Sequence, residues 1–264
     1  MKLATEKMIA QKEGAIGWIT FNNAARHNAV SLSMWNGLYE AVTAFAADGE
    51  VRLIVLKGAG EKAFVSGADI SEFEQNRSSE ETVRGYDEVA HRATEALTNV
   101  NKPTIAMIRG YCLGGGVSVA LSCDLRIAGE GASFAVPAAK LGLGYAFEGV
   151  RRLVDVVGPS FTREIFYTAR QFSADEAAAM GLVNRVVAIE ELESYVRDYA
   201  ARITNNAPLT AASVKTLVAQ AVKDEPERDK RLCREVVARC FASEDYSEGR
   251  RAFMEKRKPR FTGR

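Results

Sequence analysis

The sequence predicts an α/β fold followed by a helical C-terminal part. Nearly continuous apolar runs, as in buried parallel strands, alternate with amphipathic segments through the first part of the chain. Strands that alternate with helical segments predict helices packed on the faces of a sheet. From about residue 189 onward the apolar spacing is helical, and the glycine turns of the first part are absent.

Four apolar segments are predicted to be strands: 15–22, 51–58, 103–110 and 124–129. The last three end in glycine, at Gly58, Gly110 and Gly129, and a glycine-containing turn follows each one. Glycine at a strand end permits a tight turn or a close approach of two backbones. The three copies suggest a repeated strand-and-turn unit, although their spacing along the chain is uneven.

The segments between these strands are predicted to be helices. Over 31–49 the apolar spacing places one set of side chains on a single helical face: Leu32, Trp35, Leu38, Val42 and Phe45. Serines precede this helix as caps, and Gly49 follows it. A second helix is predicted over 82–100, before Pro103, and a third from about Gly115.

The later part of the chain is predicted to be mainly helical. A short helix over 173–181 carries its own end signals, since Ser173 and Glu176 fit a capping box and Gly181 fits the C-terminal position. The segment 182–187 is predicted to be the last strand. Helices are then expected to the end of the chain, with breaks near Pro208 and Pro226.

The composition narrows the class of protein. The chain has 264 residues, 47% of them apolar and 26% charged, which is usual for a globular protein with one sizeable core. A formal net charge of +1 argues against nucleic-acid binding. No apolar run approaches the roughly 18 residues of a membrane span, and the N-terminal stretch lacks a signal-like apolar segment. A cytoplasmic location is the expectation.

Cysteine and histidine offer little for metal or triad chemistry. The four cysteines form no C-x-x-C pair, so zinc-type spacing is absent and no metal is expected. We interpret them as reduced and mostly buried. Two histidines occur, and His27 lies in a turn-like segment while His91 lies in a charged predicted helix. Neither context favours a Ser–His–Asp triad.

Glycine-rich segments suggest two kinds of binding site. The stretch 58–63, GAGEKA, matches the G-x-G-x-x-A spacing of a dinucleotide site, but turn-like residues follow it instead of a helix, so a plain turn explains it better. The segments 63–70, AFVSGADI, and 110–124, GYCLGGGVSVALSCD, put small residues at strand ends. Two backbone N–H groups from these segments could form an oxyanion hole, and tight packing explains the glycines equally well.

Four segments occur together in one order along the chain: KAFVSGADI, NKPTIAMIRGYCLGGGVSVALSCDLRIAGEGASF, QFSADEAAAMGLVNRVV and EGRRAFMEKRKPRF. They resemble the signature motifs of the enoyl-CoA hydratase/isomerase family, the crotonase superfamily. The resemblance implies a crotonase-like spiral of repeated β-β-α units over 1–200 and a C-terminal helical region over 201–264. It also implies a homotrimer or a dimer of trimers, formed through the C-terminal helices.

The resemblance further implies an acyl-CoA thioester as substrate and no permanently bound cofactor. Members of the family stabilise an enolate-like anion on the thioester oxygen with two backbone N–H groups. In this sequence the two groups belong to Ala68 and Gly115. Gly115 lies at the start of a predicted helix, where the helix dipole also favours negative charge.

Seven residues are implied in coenzyme A binding: Arg26, His27, Ala68, Asp69, Ile70, Phe253 and Lys256. The backbone of 68–70 would hold the adenine, whereas Arg26 and His27 would lie along the coenzyme. Arg26 would pair with a phosphate, or it is a solvated surface charge. Phe253 and Lys256 would touch the coenzyme A of a neighbouring subunit.

The sequence departs from the family at the acid–base pair. Hydratases of the family use two glutamates to activate and deliver water, one after the glycine run and one after a later proline. The matching positions here are Ser118 and Ala138. A serine without a nearby base is a poor proton shuttle, and an alanine side chain carries no acidic proton. These residues do not support an ordinary two-glutamate hydration.

Two residues of the segment LGLGYAFEGVRRL could supply proton chemistry instead. Glu148 lies near the position of the acid in isomerases of the family, or it is a helix-start charge paired with Arg151 or Arg152. Tyr145 matches the spacing of a catalytic tyrosine in a decarboxylase of the family, or it simply lines the pocket. The histidine that accompanies that tyrosine is replaced here by Ala68.

Three functions follow from these residues. The leading hypothesis is an acyl-CoA enzyme that stabilises a thioester enolate, as a hydratase or isomerase of fatty acid or other acid catabolism. Isomerisation through Glu148 needs a single base. Decarboxylation needs the oxyanion hole but no base. A catalytically silent acyl-CoA-binding protein is the alternative of a different class, because both glutamates are missing.

Overall fold

The computed structural model describes residues 1–69 and 80–264. Within these ranges the strands are β1 (Met8–Glu13), β2 (Ile16–Phe21), β3 (Leu53–Gly58), β4 (Ala63–Val65), β5 (Thr104–Ile108), β6 (Tyr111–Leu113), β7 (Leu125–Gly129), β8 (Ser133–Ala135), β9 (Phe172–Ser173) and β10 (Arg185–Val187). The helices there are α1 (Leu32–Ala47), α2 (Glu80–Asn99), α3 (Gly115–Leu121), α4 (Phe147–Thr168), α5 (Ala174–Ala179), α6 (Leu192–Thr204), α7 (Pro208–Ala221), α8 (Lys230–Phe241) and α9 (Glu244–Met254). Short 3-10 turns cover Ala24–Arg26, Pro137–Leu141 and Glu225–Glu227.

The strands form two sheets, which confirms the predicted α/β class. The larger sheet has the order β1-β2-β3-β5-β7-β10, and the smaller one has the order β4-β6-β8-β9. β1 is antiparallel to β2 and β9 is antiparallel to β8, whereas every other pair of neighbours is parallel. All four strands predicted in the first part of the chain lie in the larger sheet, as β2, β3, β5 and β7.

The repeated strand-and-turn unit is also present, in the form β-β-α. Each of β3, β5 and β7 is followed by a short strand of the smaller sheet and then by a helix. Gly110 makes one of these turns at φ 61°, and a Cβ at this position would collide with the Lys62 carbonyl oxygen. The three-residue strands β4, β6 and β8 escaped the sequence analysis because they are too short to show a period of two.

The two faces of the larger sheet bury separate clusters. On one face, α6 covers the sheet with the buried side chains of Leu192, Val196 and Ala200. On the other face lies the main core, which includes most of the predicted inner face of α1. Leu32 is the exception, since it is only half-buried at the first residue of that helix.

Several predicted helix ends are confirmed. The Ser31 hydroxyl accepts a hydrogen bond from the Met34 amide at 3.3 Å and caps α1. Ser173 and Glu176 form the predicted capping box of α5. The predicted division at residue 200 falls inside α6, which packs on the sheet, so the division into 1–200 and 201–264 stays a prediction.

The C-terminal segment differs from the prediction of helices to the end. The last helix, α9, ends at Met254, and residues 255–264 run back along it without helical structure. The Asp245 carboxylate holds this segment by accepting hydrogen bonds from the Thr262 amide at 2.6 Å and the Gly263 amide at 2.9 Å. A proline and a glycine in this segment disfavour helix and explain the difference.

Candidate active site

The three consecutive glycines at the start of α3 differ in how strictly the structure requires them. Gly114 takes φ 50° and ψ −110°, a conformation that disfavours any residue with a side chain. Gly116 lies so close to β4 that an added Cβ would collide with the Val65 carbonyl oxygen. Gly115 has room, since its nearest neighbours would lie 3.7 Å from an added Cβ. Only the outer two glycines are therefore required by packing or conformation.

Gly115 lies next to the segment that contains Ala68. An added Cβ at Gly115 would be 3.7 Å from the Gly67 carbonyl carbon and 3.8 Å from the Ala68 nitrogen. A parallel β-bridge to Val30 fixes Ala68: the Val30 amide donates to the Gly67 oxygen at 2.8 Å, and the Asp69 amide donates to the Val30 oxygen at 2.9 Å. Because the flanking residues make these bonds, the N–H group of Ala68 itself points away from Val30.

The backbone amides of Ala68 and Gly115 have no hydrogen-bond acceptor within the part of the chain that the structure describes. Both residues are only half-buried. The first amides of a helix have no partner inside it, which accounts for Gly115. α3 has only seven residues, so two adjacent donors, rather than a long helix dipole, define this place. Two such donors suit an oxygen that carries negative charge.

A small cavity lies beside α3. Its walls include Ser118, Tyr145 and Arg152, together with apolar and glycine neighbours: Val117, Leu121, Val136, Gly149, Leu153 and Phe166. The cavity volume of about 10 Å³ is close to the minimum that one water molecule needs. The fold thus brings together Ser118 and Tyr145, two of the residues that the sequence analysis proposed for catalysis.

The surroundings of Tyr145 disfavour the charged form of its phenol. Its ring meets the edge of Phe166 at a centroid distance of 4.9 Å. Burial raises the pKa of the Tyr145 phenol above its ordinary value, because the charged form loses its contact with water. A phenol that keeps its proton suits hydrogen-bond or proton donation rather than proton removal.

Arg152 contributes a cation to the same cavity. Burial lowers the pKa of its guanidinium, while the negative charges of Glu95 and Glu148 act in the opposite direction. The guanidinium donates a hydrogen bond to the Ser122 hydroxyl at 3.1 Å. Arg151 instead pairs with Asp155 at 3.8 Å.

Glu148 lies in the first turn of α4 and is exposed. Its predicted ion pair with Arg151 or Arg152 is absent among the described residues: Arg151 pairs with Asp155 on α4, and Arg152 donates to Ser122, just after α3. Glu148 is not among the residues that line the cavity. The sequence alone could not show this separation, because it depends on how α4 is rotated about its axis.

The residues predicted along the coenzyme cluster around Ala68. Arg26, in the 3-10 turn, is exposed and pairs with the buried Asp69 carboxylate at 3.5 Å. His27 takes φ 50° at the end of that turn, and its ring lies 6.0 Å from the ring of Tyr111. Ile70 lies outside the described residues.

Phe253 and Lys256 lie at the other end of the chain. Phe253 is 83% exposed and lines an open, largely apolar groove of about 780 Å³ between the C-terminal helices. Lys256 is exposed just beyond α9, at φ 54°. Their predicted contact with a neighbouring subunit's coenzyme stays a prediction.

Two residues that the sequence analysis did not assign to the site lie behind the amides. Trp35 and Tyr86 are buried and joined by a hydrogen bond of 2.8 Å, although 51 positions separate them in sequence. In the sequence, each falls within a predicted helix and carries no sign of a functional role. Only the fold brings the two residues together.

Among residues 1–69 and 80–264, no group of three or more His, Cys, Asp or Glu side chains could hold a metal ion. In the same part of the chain, no helix has the length and apolar character needed to cross a membrane.

Comparisons with known proteins identify the family. A sequence model of the family described as enoyl-CoA hydratase/isomerase matches residues 11–264. The chain is 36% identical to a crotonyl-CoA hydratase of Syntrophomonas wolfei, over 98% of this chain and 99% of that protein. It is 34% identical to a short-chain-enoyl-CoA hydratase of Clostridium acetobutylicum, over 95% of each chain.

Solved structures agree with the sequence matches. A crystal structure of an enoyl-CoA hydratase/carnithine racemase from Magnetospirillum magneticum matches with a TM-score of 0.95 at 37% identity, over 99% of this chain and 97% of that one. The chain belongs to the enoyl-CoA hydratase/isomerase family, a family of enzymes. The resemblance of its four motifs is thereby confirmed.

Proposed function

We propose that this enzyme binds an acyl-CoA thioester and stabilises its enolate with the amides of Ala68 and Gly115. The observation that carries the proposal is the pair of adjacent amides, on two separate segments, without hydrogen-bond partners in the described residues. The thioester oxygen would accept both N–H groups and gain negative charge when the enolate forms. Coenzyme A would enter and leave with the substrate, so no resident cofactor is needed.

The relatives' names guide the choice of acyl group. A crotonyl-CoA hydratase and a short-chain-enoyl-CoA hydratase are both similar to this chain over nearly its whole length. We therefore propose a short-chain 2-enoyl-CoA as the first substrate to examine. The coenzyme would lie past the 3-10 turn, where Arg26 is exposed and its ion pair with Asp69 leaves guanidinium donors for a phosphate.

The proton chemistry would differ from that of a two-glutamate hydratase. Tyr145, whose phenol pKa is raised by burial, would donate a proton or a hydrogen bond from the cavity wall. Glu148, which is exposed outside that wall, would act as the base on an acyl group that extends beyond the cavity. Ser118 would orient a water molecule or the acyl group in the cavity, since its hydroxyl can donate and accept. A double-bond shift suits this set, because one base removes a proton and one acid returns it.

Activity on two substrates separates the reactions. Purified protein is offered crotonyl-CoA and 3-butenoyl-CoA, and the products are separated by chromatography. Formation of 3-hydroxybutyryl-CoA from the first identifies hydration, and conversion of the second to crotonyl-CoA identifies isomerisation. Background rates on both, and on a malonyl-type thioester, would contradict the proposal and favour a silent binding protein.

A single substitution at position 115 can remove the backbone N–H of that residue. Gly115 is the first residue of α3, a helix position where proline is tolerated and where it removes only an unused N–H. We expect Gly115→Pro to lower kcat roughly 10²- to 10³-fold, the usual cost of one lost oxyanion donor. Gly115→Ala, which keeps the N–H, is the matched control and should lose far less. Equal losses in both variants would contradict the role of the amide.

Glu148 is tested by a variant that keeps its shape. Glu148→Gln removes the base and should reduce turnover roughly 10²-fold or more while coenzyme A binding, measured by calorimetry, is unchanged. Asp155→Asn, on the same helix, is the control for loss of a carboxylate in α4. Unchanged turnover in Glu148→Gln would exclude Glu148 as the base.

We further propose that the protein assembles as a homotrimer or a dimer of trimers. The C-terminal helices support this, because Phe241 is 63%, Phe253 83% and Met254 80% exposed around one groove. Apolar surface of this extent usually marks an interaction site. Sedimentation equilibrium measures the state, and a monomer at micromolar concentration would contradict the proposal.

A further inference from the structure

A buried hydrogen-bond chain runs behind the two free amides. The Trp35 indole Nε1 donates to the Tyr86 hydroxyl at 2.8 Å, and the Tyr86 hydroxyl donates to the Val30 carbonyl oxygen at 3.2 Å. Trp35 lies on α1, Tyr86 lies on α2, and Val30 immediately precedes the cap of α1. All three residues are at most 5% exposed, so these bonds are shielded from water.

One end of this chain reaches the segment that carries the first amide. The Val30 oxygen accepts the Tyr86 hydroxyl and also the Asp69 amide, which lies at 2.9 Å. A carbonyl oxygen has two lone pairs, so both are used. The Val30 amide in turn donates to the Gly67 oxygen at 2.8 Å. The position of the Val30 peptide therefore sets the position of the peptide units on both sides of Ala68.

The other end of the chain reaches the second amide. The Cζ2 atom of Trp35 would lie 3.7 Å from a Cβ built on Gly115, which is ordinary van der Waals contact. The indole ring of Trp35 thus borders the space beside Gly115, where a side chain would meet it, while its N–H donates toward Tyr86. The rigid indole of Trp35 therefore lies between the Tyr86–Val30 hydrogen bonds, which hold the Ala68 segment, and the space beside Gly115.

We propose that Trp35 and Tyr86 are positioning residues that set the relative placement of the Ala68 and Gly115 amides. The proposal rests on the proposed function, because it assumes that these amides bind the thioester oxygen. Neither side chain touches the reacting atoms. Tyr86 acts through the Val30 peptide on Ala68, and Trp35 acts through its ring on the space beside Gly115 and through Tyr86 on Ala68.

The need for such support follows from the geometry of anion binding. An oxyanion donor must lie about 2.7–3.1 Å from the oxygen that it stabilises. A misplacement of about 1 Å can reduce the rate roughly 10²-fold. Within residues 1–69 and 80–264, Ala68 is joined to the sheet framework by an isolated bridge to Val30 rather than by a long ladder, so the placement of the Val30 peptide matters to it. A fully satisfied buried chain of hydrogen bonds supplies the missing rigidity.

The test uses a thioester whose enolate is stable and visible. Acetoacetyl-CoA forms an enolate that absorbs in the near ultraviolet, so the pH at which half of the bound ligand is ionised can be read directly. Binding between two well-placed amides should lower this midpoint relative to free acetoacetyl-CoA. The reading does not depend on which reaction the enzyme catalyses.

Tyr86→Phe removes the hydroxyl and keeps the ring. We expect the midpoint of bound acetoacetyl-CoA to rise by about one pH unit, a tenfold loss of anion stabilisation. On the active substrate, kcat should fall roughly tenfold while KM stays within about twofold. A merely structural role of Tyr86 would lower the thermal midpoint of unfolding without moving the midpoint of the bound enolate.

Two further variants keep the test decisive. Tyr39→Phe, on α1, removes a hydroxyl from a half-buried ring that contacts Arg92, and should leave the midpoint unchanged. Trp35→Phe removes the first donor of the chain and should shift the midpoint in the same direction as Tyr86→Phe; it serves if Tyr86→Phe does not fold. If the wild type lowers the midpoint of bound acetoacetyl-CoA and both Tyr86→Phe and Trp35→Phe lower it equally, the positioning role is overturned and the proposed function stands. No midpoint shift in the wild type would overturn the proposed function and, with it, this inference.

Discussion

At the thioester end of the proposed site the binding groups are backbone amides, whereas at the acyl end they are side chains. Glycine conformations and one β-bridge hold Ala68 and Gly115 in place. The acyl end depends instead on Ser118, Tyr145 and Arg152 around a small cavity. The two ends should therefore respond differently to mutation. Changes near the amides should affect folding and anion binding together, and changes in the cavity should affect turnover alone.

The largest expected effect is at Gly116. An added Cβ would collide with the Val65 carbonyl oxygen, which is backbone and cannot rotate away. We expect Gly116→Ala to lower the free energy of unfolding by about 3 kcal/mol and to abolish turnover. Denaturant unfolding, followed by circular dichroism, measures the loss.

Gly115→Ala is the matched control for this prediction, because its Cβ would have 3.7 Å of clearance. Its free energy of unfolding should stay within about 1 kcal/mol of the wild type. If the two variants are equally stable, packing at Gly116 does not distinguish the thioester end.

A smaller effect, confined to turnover, is expected at the acyl end. Tyr145→Phe keeps the ring against Phe166 and removes the hydroxyl, so stability should be nearly unchanged. If the phenol is the proton donor, kcat should fall roughly 10²-fold while thioester affinity is retained. Steady-state kinetics and calorimetry give the two quantities. Full activity would leave Tyr145 as a wall of the pocket only.

The pH profile offers a second reading of the same residue. Because burial raises the pKa of the Tyr145 phenol, its proton is lost only above the ordinary value of about 10. Turnover that depends on the neutral phenol should therefore stay level as pH rises to about 10. A decline centred clearly below pH 9, in protein that remains folded, would point to another acid.

The sequence predicted the larger sheet well, because β3, β5 and β7 are long apolar runs with glycine ends. The assignment of the Ala68 and Gly115 amides came from the motif resemblance rather than from spacing, and it stays a prediction. It failed for the three-residue strands of the smaller sheet, which carry no measurable period. The apolar and small residues in them look like loop until the neighbouring strands are in place.

Long-range geometry limited the prediction of side-chain roles. Glu148 was correctly placed at a helix start, but whether it meets Arg152 depends on helix rotation, and the arginine bonds to Ser122 instead. Trp35 and Tyr86 look like ordinary core residues in the sequence. Their hydrogen bond joins positions 51 residues apart, and no local pattern encodes such a contact.

The smallest expected effect concerns how often the thioester end of the site opens, and it is measured by the alkylation rates of two buried cysteines rather than by activity. Cys112 lies on β6 just before the glycines, and Cys123 lies just after α3; both are at most 3% exposed. Burial raises the pKa of both thiols, and that of Cys123 to about 12. Cys233 and Cys240, on α8, are half-buried.

At pH 8 a thiol of pKa about 12 has a thiolate fraction near 10⁻⁴, compared with about 0.2 for an ordinary cysteine. In alkylation followed by mass spectrometry, Cys123 and Cys112 should be labelled far more slowly than the half-buried Cys240, because both thiols are buried and their pKa values are raised. Tyr145→Phe, at the acyl end, should leave the labelling rates of all four cysteines unchanged. Faster labelling of Cys112 and Cys123 in Tyr86→Phe would show that this variant makes the thioester end open more often. Labelling of Cys123 as fast as that of Cys240 in the wild type would show that this end opens freely, and the contrast between the two ends would fail.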